Sequence, residues 1–419
     1  MDNGYFRYTL EDLKKSSDRK LFTAISFFAG GGGSSCGYKL AGGDMRFVNE
    51  FQQVAVDTYL KNWPGTNYIC DDIKNITAQD IMDLTGLKIG EIDILDASPP
   101  CPPFSMSGSK QKGWNQEKMA YGMKQQNIED LTWEVIRIAK DLQPKVIVCE
   151  NVKGLTMDYA VSHLNRMLED FELIGYEVVH RVLKGHEHGV PQKRERVFIV
   201  CVRNDVCDKL GLVFGEISNL DHVFPEGYPQ IPTVADAIKD IENDPSNLGE
   251  AKIMEDAMKD SAKAKWIYGF SEHPDFPDSS ECEGVVGLDQ ELMESRVISI
   301  GDDIVKPWFR KQVEDGVTKE VKNSYFQSRI VPYNQASHTL SETGLQPRFM
   351  GGNHMHPNGR RSYTPTEAKR IMTLPEDYMI TGTIDEQQAR IGLMVAPLQM
   401  KAVAESIYER IIEVYNENS

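Results

Sequence analysis

The chain has 419 residues, 40% of them hydrophobic and 26% charged, which is ordinary for a globular protein with room for two domains. It contains no run of about 18 apolar residues, so no transmembrane helix is predicted, and its polar N-terminus is unlike a signal peptide. The seven cysteines form no Cys-x-x-Cys pair, which argues against a disulfide framework and indicates a reducing, cytoplasmic setting. The net charge of −17 argues against a general polyanion binder but leaves local basic patches open.

Strands and helices alternate from residue 20 to residue 203, which predicts an α/β domain with a doubly wound, mostly parallel sheet. Residues 204–345 are irregular and rich in Pro, Gly, Asp and Glu, which favours a smaller second domain. Residues 346–419 regain a regular pattern and include a long amphipathic helix predicted from Gln387 to Val414. We expect this last segment to return to the first domain.

The first predicted strand runs into the glycine-rich turn Ala29-Gly30-Gly31-Gly32-Gly33, and a helix follows. A strand, a glycine turn and a helix together commonly hold a nucleotide-type cofactor, because the backbone can approach the ligand and the helix presents free N–H groups. Glu50 ends the second strand about 20 positions later, where an acid commonly binds ribose hydroxyls. The alternatives are a purely structural glycine turn and an exposed, helix-capping Glu50.

Four polar residues follow the C-terminal ends of predicted strands, where this fold places its ligands: Glu50, Asp72, Cys101 and Glu150. Cys101 lies in the loop Pro99-Pro100-Cys101-Pro102-Pro103, which is stiff because each proline fixes its own φ. Such a loop could position a nucleophilic thiol, although a buried structural cysteine is the common alternative.

Glu150 ends a strongly apolar strand, so desolvation should raise its pKa and suit it to act as a general acid. The alternative is that Glu150 is a structural carboxylate that accepts hydrogen bonds from N–H groups of the loop. Arg194 and Arg196, in the segment Gln192 to Arg196, could grip a phosphate and a base carbonyl, or could form a basic surface turn. The histidines are scattered without ligand spacing, so no metal site is predicted.

Four ordered motifs carry a family resemblance: FFAGGGG from Phe27, PPCPPFS from Pro99, ENV from Glu150 and QKRER from Gln192. With these motifs the chain resembles the DNA cytosine-5 methyltransferases over about residues 20 to 205 and 325 to 415. The resemblance implies S-adenosyl-L-methionine as the cofactor. It also implies the cofactor-binding residues Phe28, Ala29, Gly30, Gly32, Glu50, Asp72, Ile73 and Pro100.

By the same resemblance, a target cytosine would be flipped out of double-stranded DNA, because the reacting carbons cannot be reached in the stack. The catalytic residues would be Cys101, which adds to ring carbon 6, Glu150 at ring nitrogen 3, Arg196 at the base carbonyl and Arg194 at the neighbouring backbone. Ser107, Asn151 and Gln192 would bind substrate, and residues 204–345 would be the target-recognition domain.

The resemblance further implies a monomeric enzyme of a restriction-modification system, with a cognate restriction endonuclease as a possible partner and no membrane. Several positions depart from the family pattern; among them, Ser26 stands where an aspartate is usual, and Leu393 lacks an amide expected to contact the cofactor carboxylate. These two departures keep a catalytically inactive DNA-binding relative open as an alternative. A second alternative is an RNA cytosine-5 methyltransferase of similar fold.

Overall fold

The structure, a computed structural model, describes residues 3–100, 118–120, 123–125, 131–212, 220–259, 299–300, 312–314, 317–319, 329–342, 354–357 and 361–418. The predicted nucleophile Cys101 and the predicted substrate-binding residue Ser107 lie outside these ranges. Within the described part of the chain, no helix is long and apolar enough to cross a membrane.

One seven-stranded sheet organises the described residues, with helices on both of its faces. Its strands are β1 (Phe22–Phe27), β2 (Gly43–Asn49), β3 (Tyr68–Ile69), β4 (Ile94–Ala97), β5 (Val146–Val152), β6 (Tyr176–Lys184) and β7 (Glu195–Arg203). The first helices are α1 (Leu10–Ser17), α2 (Gly33–Leu40), α3 (Gln53–Asn62), α4 (Ala78–Thr85), α5 (Leu131–Leu142) and α6 (Val161–Leu173). They are followed by α7 (Asn204–Leu210), α8 (Val234–Ile238), α9 (Pro245–Lys259), α10 (Pro365–Ile371), α11 (Ile384–Leu393), α12 (Pro397–Ile407) and α13 (Glu413–Glu417).

The strand order is β3-β2-β1-β4-β5-β7-β6, and all neighbours are parallel except those of β7. The predicted doubly wound, mostly parallel sheet is therefore confirmed. The chain winds outward in one direction from β1 and in the other from β4, so a crevice opens between their carboxyl ends. Because β7 is antiparallel, it begins at this same edge, where Arg196 lies opposite Val152.

The strands are apolar on both faces because both faces are covered by helices. On β1, Ile25 and Phe27 pack into a cluster with α4, α5 and α6, whereas Phe22 and Ala24 pack into a second cluster with α2 and α12. Burial on both sides explains why these strands read as continuous apolar runs rather than as alternating ones.

The single long helix predicted from Gln387 to Val414 is wrong, because the segment forms α11 and α12 with a break between them. Pro397 is the first residue of α12. Proline lacks an N–H and fixes φ, so it suits a first helical position and interrupts a helix that reaches it from the N-terminal side. Beyond the break, Met400 and Val403 pack with Ala24 of β1, so the C-terminal segment lies on the sheet.

The described part of residues 204–345 contains more helix than its irregular pattern predicted, since α7, α8 and α9 all fall in this range. Val234 and Leu340 are buried with Tyr363 of the C-terminal segment. Glu367 of α10 ties the two regions, because it accepts two bonds from Arg361 (2.6 and 2.8 Å) and one from Asn247 of α9 (2.9 Å). Burial would raise the pKa of Glu367, but the nearby His356 and Arg361 lower it to about 2.

Asp96 forms a second buried polar junction, at the centre of the sheet. Its carboxylate accepts bonds from Ser26 Oγ (2.7 Å), Ser34 Oγ (2.8 Å) and the Tyr38 hydroxyl (3.3 Å), and it is fully buried. Ser26 lies directly opposite Asp96 on the neighbouring strand. Desolvation raises the pKa of Asp96 to about 6 despite the three hydroxyl donors. This one side chain therefore joins β1, β4 and α2.

The raised pKa of Asp96 predicts a dependence of stability on pH. The folded chain holds the Asp96 proton up to about pH 6, whereas the unfolded chain releases it near pH 4, so the contribution of Asp96 to stability declines between these values. From pH 4 to pH 7 the wild type should lose about 2 kcal/mol of unfolding free energy relative to Asp96→Asn, whose amide does not titrate.

Urea unfolding at pH 4, 5, 6 and 7 measures this difference. Asp83→Asn, at an exposed carboxylate on α4, is the control and should follow the wild-type dependence. Parallel pH profiles for the wild type and Asp96→Asn would contradict the predicted contribution.

Candidate active site at the carboxyl edge of the sheet

The glycine turn after β1 has a backbone that most residues cannot adopt. Phe28 has a φ of 57°, which is unusual for a bulky residue, and Gly30 and Gly32 have φ values of 53° and 92°. A Cβ on Gly32 would lie 2.6 Å from the Trp63 ring and 2.7 Å from the Tyr378 hydroxyl oxygen. The turn therefore requires glycine for both its conformation and its packing, and it aims the start of α2 at the crevice.

Glu50 is buried beside this turn and is not the exposed capping acid that the sequence left open. Its Oε2 accepts a bond from the Gly30 N–H and its Oε1 accepts one from the Gln52 N–H, both at 2.9 Å. Burial raises the pKa of Glu50, while these main-chain donors act in the opposite direction. Each carboxylate oxygen keeps a lone pair for a further donor, so Glu50 could still accept ligand hydroxyl groups.

The other residues predicted to bind the cofactor line the same edge. Phe28 is half-buried, Ala29 is buried, and the Ala29 N–H donates to the Asn49 carbonyl (3.0 Å). Asp72 is exposed and accepts a bond from the Lys74 N–H (3.1 Å), and Ile73 behind it is 2% exposed. Since strands β1 and β2 are neighbours, these groups share one side of the crevice.

The C-terminal segment forms a wall that the motifs did not indicate. A Cβ on Gly33 would lie 2.3 Å from the Val395 carbonyl oxygen, so the turn between α11 and α12 touches the start of α2. The Tyr378 hydroxyl donates to the Gly31 carbonyl from the same side. Local sequence carries no signal for this contact, because its partners lie more than 300 positions apart in the chain.

Glu150 lies within β5, two residues before its end, and is 7% exposed. Arg196 Nε lies 3.0 Å from Glu150 Oε1, so the two side chains form a largely buried ion pair. Arg196 reaches Glu150 because antiparallel β7 begins beside the end of β5. Desolvation lowers the pKa of Arg196, and the Glu150 charge opposes that effect. The structure therefore brings together the two groups predicted to hold opposite sides of one base.

Asn151 links this pair to the predicted nucleophile loop. Its Nδ2 donates to the Pro99 carbonyl (3.3 Å), and its Oδ1 accepts from the Val152 N–H (2.8 Å). Pro99 is buried and Pro100 is half-buried, and Cys101 comes next in the sequence. The amide of Asn151 thus fixes the entry to the loop rather than projecting freely into the crevice.

Gln192 and Arg194, which were predicted to contact substrate, hold other parts of the chain in the structure. Gln192 is fully buried, and its Oε1 accepts from the Leu340 N–H (2.9 Å). Arg194 is 2% exposed and donates to the carbonyls of Leu340 (3.3 Å), Gly392 (3.4 Å) and Met394 (3.0 Å). Desolvation lowers the pKa of Arg194 to about 9. Both side chains join the sheet to later segments of the chain.

The described residues contain no group of three or more His, Cys, Asp or Glu side chains that could hold a metal ion. Among the described residues, the groups at the crevice are the glycine turn, the carboxylates Glu50 and Glu150, and the guanidinium of Arg196. Asp96 and Tyr378 support this edge and were missed as candidates, because their importance depends on partners in distant elements.

Several curated proteins are similar to the chain over most of its length. Type II methyltransferase M.PspPI of Psychrobacter sp. is 28% identical over 395 residues, which cover 92% of this chain and 79% of the relative. M.SacI of Streptomyces achromogenes is 27% identical, and the match covers 92% of this chain and 93% of the relative. M.Eco47II of Escherichia coli is also 27% identical, and the match covers 96% of this chain and 82% of the relative.

Solved structures share the fold. One is described as a DNA modification methyltransferase encoded within a prophage of E. coli (TM-score 0.60, 19% identity, 94% of this chain and 99% of that chain). Another is DNMT2 of Spodoptera frugiperda (TM-score 0.52, 15% identity), where the match covers 93% of this chain and 99% of that chain. The family model of the C-5 cytosine-specific DNA methylases matches residues 22–409. The resemblance carried by the four motifs is thus confirmed, and the chain belongs to the C-5 cytosine-specific DNA methylase family and is a DNA cytosine-5 methyltransferase.

Proposed function

We propose that this enzyme transfers a methyl group from S-adenosyl-L-methionine to carbon 5 of a flipped cytosine in one specific duplex DNA sequence, through a covalent adduct with Cys101. The observation that carries the proposal is the buried pair of Glu150 and Arg196, tethered through Asn151 to the residue that begins the Pro99 to Ser105 motif. The proposed setting is a Type II modification system, as the names of the similar proteins suggest. The restriction endonuclease of such a system would read the same sequence.

The crevice suits the proposed cofactor. A Cβ on Gly30 would enter a space with no described atom within 4 Å, whereas Cβ atoms on Gly32 and Gly33 would collide with protein. The turn thus leaves room on one side only, next to the free lone pairs of Glu50. When bound, S-adenosyl-L-methionine supplies an electrophilic methyl group. Phe28 would lie against the adenine with Ile73 beside it, Glu50 would accept the ribose hydroxyls, and Asp72 would accept the adenine amino group.

The proposed reaction begins with the Cys101 thiolate. It adds to ring carbon 6, and the displaced π electrons make carbon 5 nucleophilic toward the methyl group. Loss of the carbon-5 proton to a base then restores the double bond and expels the thiolate. Pro100 would line the space between the thiol and the methyl donor, and Ser107 would belong to the part of the loop that contacts substrate.

Glu150 and Arg196 would hold the base during this reaction. Protonated Glu150 would donate to ring nitrogen 3 and stabilise the electron density that moves onto the ring. Arg196 would donate to the base carbonyl, so the base would enter between two groups that now contact each other. The proposed role of Arg194 becomes indirect, since its guanidinium holds main-chain carbonyls.

Cys101→Ala should lower methyl incorporation into DNA by at least about 1,000-fold, because no other group forms the adduct. The measurement is transfer of labelled methyl groups from the cofactor to duplex DNA and to tRNA, with bisulfite sequencing of the host DNA to locate the modified cytosines. Cys207→Ala, at a buried cysteine of α7 on the second face of the sheet, is the control and should keep its activity.

Wild-type transfer to tRNA but not to duplex DNA would overturn the proposed substrate. Undiminished transfer by Cys101→Ala would overturn the covalent mechanism. Absence of transfer to either acceptor would favour the inactive relative.

Glu150→Gln should lower kcat by about 100- to 10,000-fold, since the amide cannot transfer a proton to the ring. DNA affinity should change little, because the variant keeps the shape of the side chain and a hydrogen-bond acceptor for Arg196. Single-turnover methyl transfer and a fluorescence DNA-binding titration separate the two effects. Glu134→Gln, at the α5 carboxylate that pairs with Arg137 (2.7 Å), is the control. A Glu150→Gln enzyme with wild-type kcat would rule out proton donation by Glu150.

A further inference from the structure

Arg390 of α11 is a buried cation with almost no partners. It is 8% exposed, and its one hydrogen bond to the described residues runs from Nη1 to the Thr381 carbonyl. No carboxylate of the described residues lies within ion-pair distance of it. Burial lowers its pKa, and the charges of Glu386 and Asp57 act in the opposite direction from farther away. A guanidinium has five N–H donors, so most donors of Arg390 have no partner among the described residues.

Arg390 stands directly against the glycine turn. Its Cγ and Cδ lie 3.3 Å from the position that a Cβ on Gly31 would occupy. The Tyr378 hydroxyl contacts the same glycine through its carbonyl, and Met394 Cε lies 2.1 Å from the same Cβ position, so three side chains of the C-terminal segment enclose Gly31. Gly31 lies next to Gly30, whose open side is where the proposed function places the cofactor.

We propose that Arg390 binds the carboxylate of the methionine part of the cofactor, an inference that rests on the proposed function. A carboxylate is the one anionic group of S-adenosyl-L-methionine, and a guanidinium pairs with a carboxylate through two parallel N–H bonds. Leu393, one helical turn further along α11, is 41% exposed and has no polar group to offer. Arg390, on the same helix as Leu393, supplies a positive charge that is complementary to the cofactor carboxylate.

The competing role for Arg390 is structural, since its bond to Thr381 could simply hold the loop before α11. The two roles differ in what they predict for ligand binding. A structural arginine would affect all ligands of the crevice alike, whereas a carboxylate-binding arginine would discriminate between ligands with and without that group.

The test is isothermal titration calorimetry of the full-length protein with S-adenosylhomocysteine and with its decarboxylated analogue, which lacks the carboxylate alone. Arg390→Met should weaken the affinity for S-adenosylhomocysteine by about 10-fold or more, the loss typical of a charged hydrogen bond. The affinity for the analogue should change by less than about 2-fold. Arg390→Lys should give an intermediate loss, because it keeps the charge and loses the paired donors.

Arg46→Met is the control. Arg46 donates to the main-chain carbonyl of Thr85 (2.8 Å) and lies 3.8 Å from the Asp44 carboxylate, on β2 away from the glycine turn. This variant should leave both affinities unchanged. Equal weakening of both ligands by Arg390→Met, or no weakening, would overturn the role of Arg390 while the proposed function stands. A wild-type protein that binds neither ligand would overturn the proposed cofactor and this inference together. Arg390→Gln gives a second, smaller change if the methionine variant is unstable.

Discussion

The close approach between Gly33 and the Val395 carbonyl is the contact on which the crevice depends. The start of α2 and the turn before α12 meet with no room for a side chain between them, and Gly37 meets the Pro397 carbonyl one turn later. The sheet supplies one wall of the crevice and the end of the chain supplies another. A site built this way forms only when residues separated by most of the sequence have packed, so the assembly of the site and of the fold are one event.

Three carboxylates are buried along one edge of the sheet, and each is stabilised by a different kind of donor. Glu50 accepts main-chain N–H groups, Asp96 accepts three hydroxyl groups, and Glu150 pairs with the guanidinium of Arg196. Main-chain and hydroxyl donors are held by the fold and leave Glu50 and Asp96 in place. A guanidinium on a side chain can exchange partners, so among the three Glu150 has the partner best suited to change during a reaction.

The sequence predicted the features whose cause is local. The mostly parallel sheet followed from the alternation of predicted strands and helices, and the glycine turn and the position of Glu50 followed from a spacing that a βαβ unit requires. The contacts of Gln192 and Arg194 could not be predicted, because a basic segment before a strand has the same local sequence whether its side chains contact DNA or a distant main-chain carbonyl. The break before Pro397 was visible in principle, since proline cannot continue a helix, but the apolar spacing ran through it.

The ion pair of Glu150 and Arg196 implies an order of events in the proposed reaction. Without a base, Glu150 and Arg196 form an ion pair, and separating a buried pair without replacement would cost about 3 to 5 kcal/mol. A flipped cytosine offers that replacement, because its carbonyl can accept from Arg196 while its ring nitrogen faces Glu150. A base without a carbonyl at that position would leave the guanidinium unpaired, so the pair favours pyrimidines that carry one. In the proposed reaction Glu150 would donate to the ring only when the ring nitrogen is in place, so the entry of the base and the start of the chemistry would be linked.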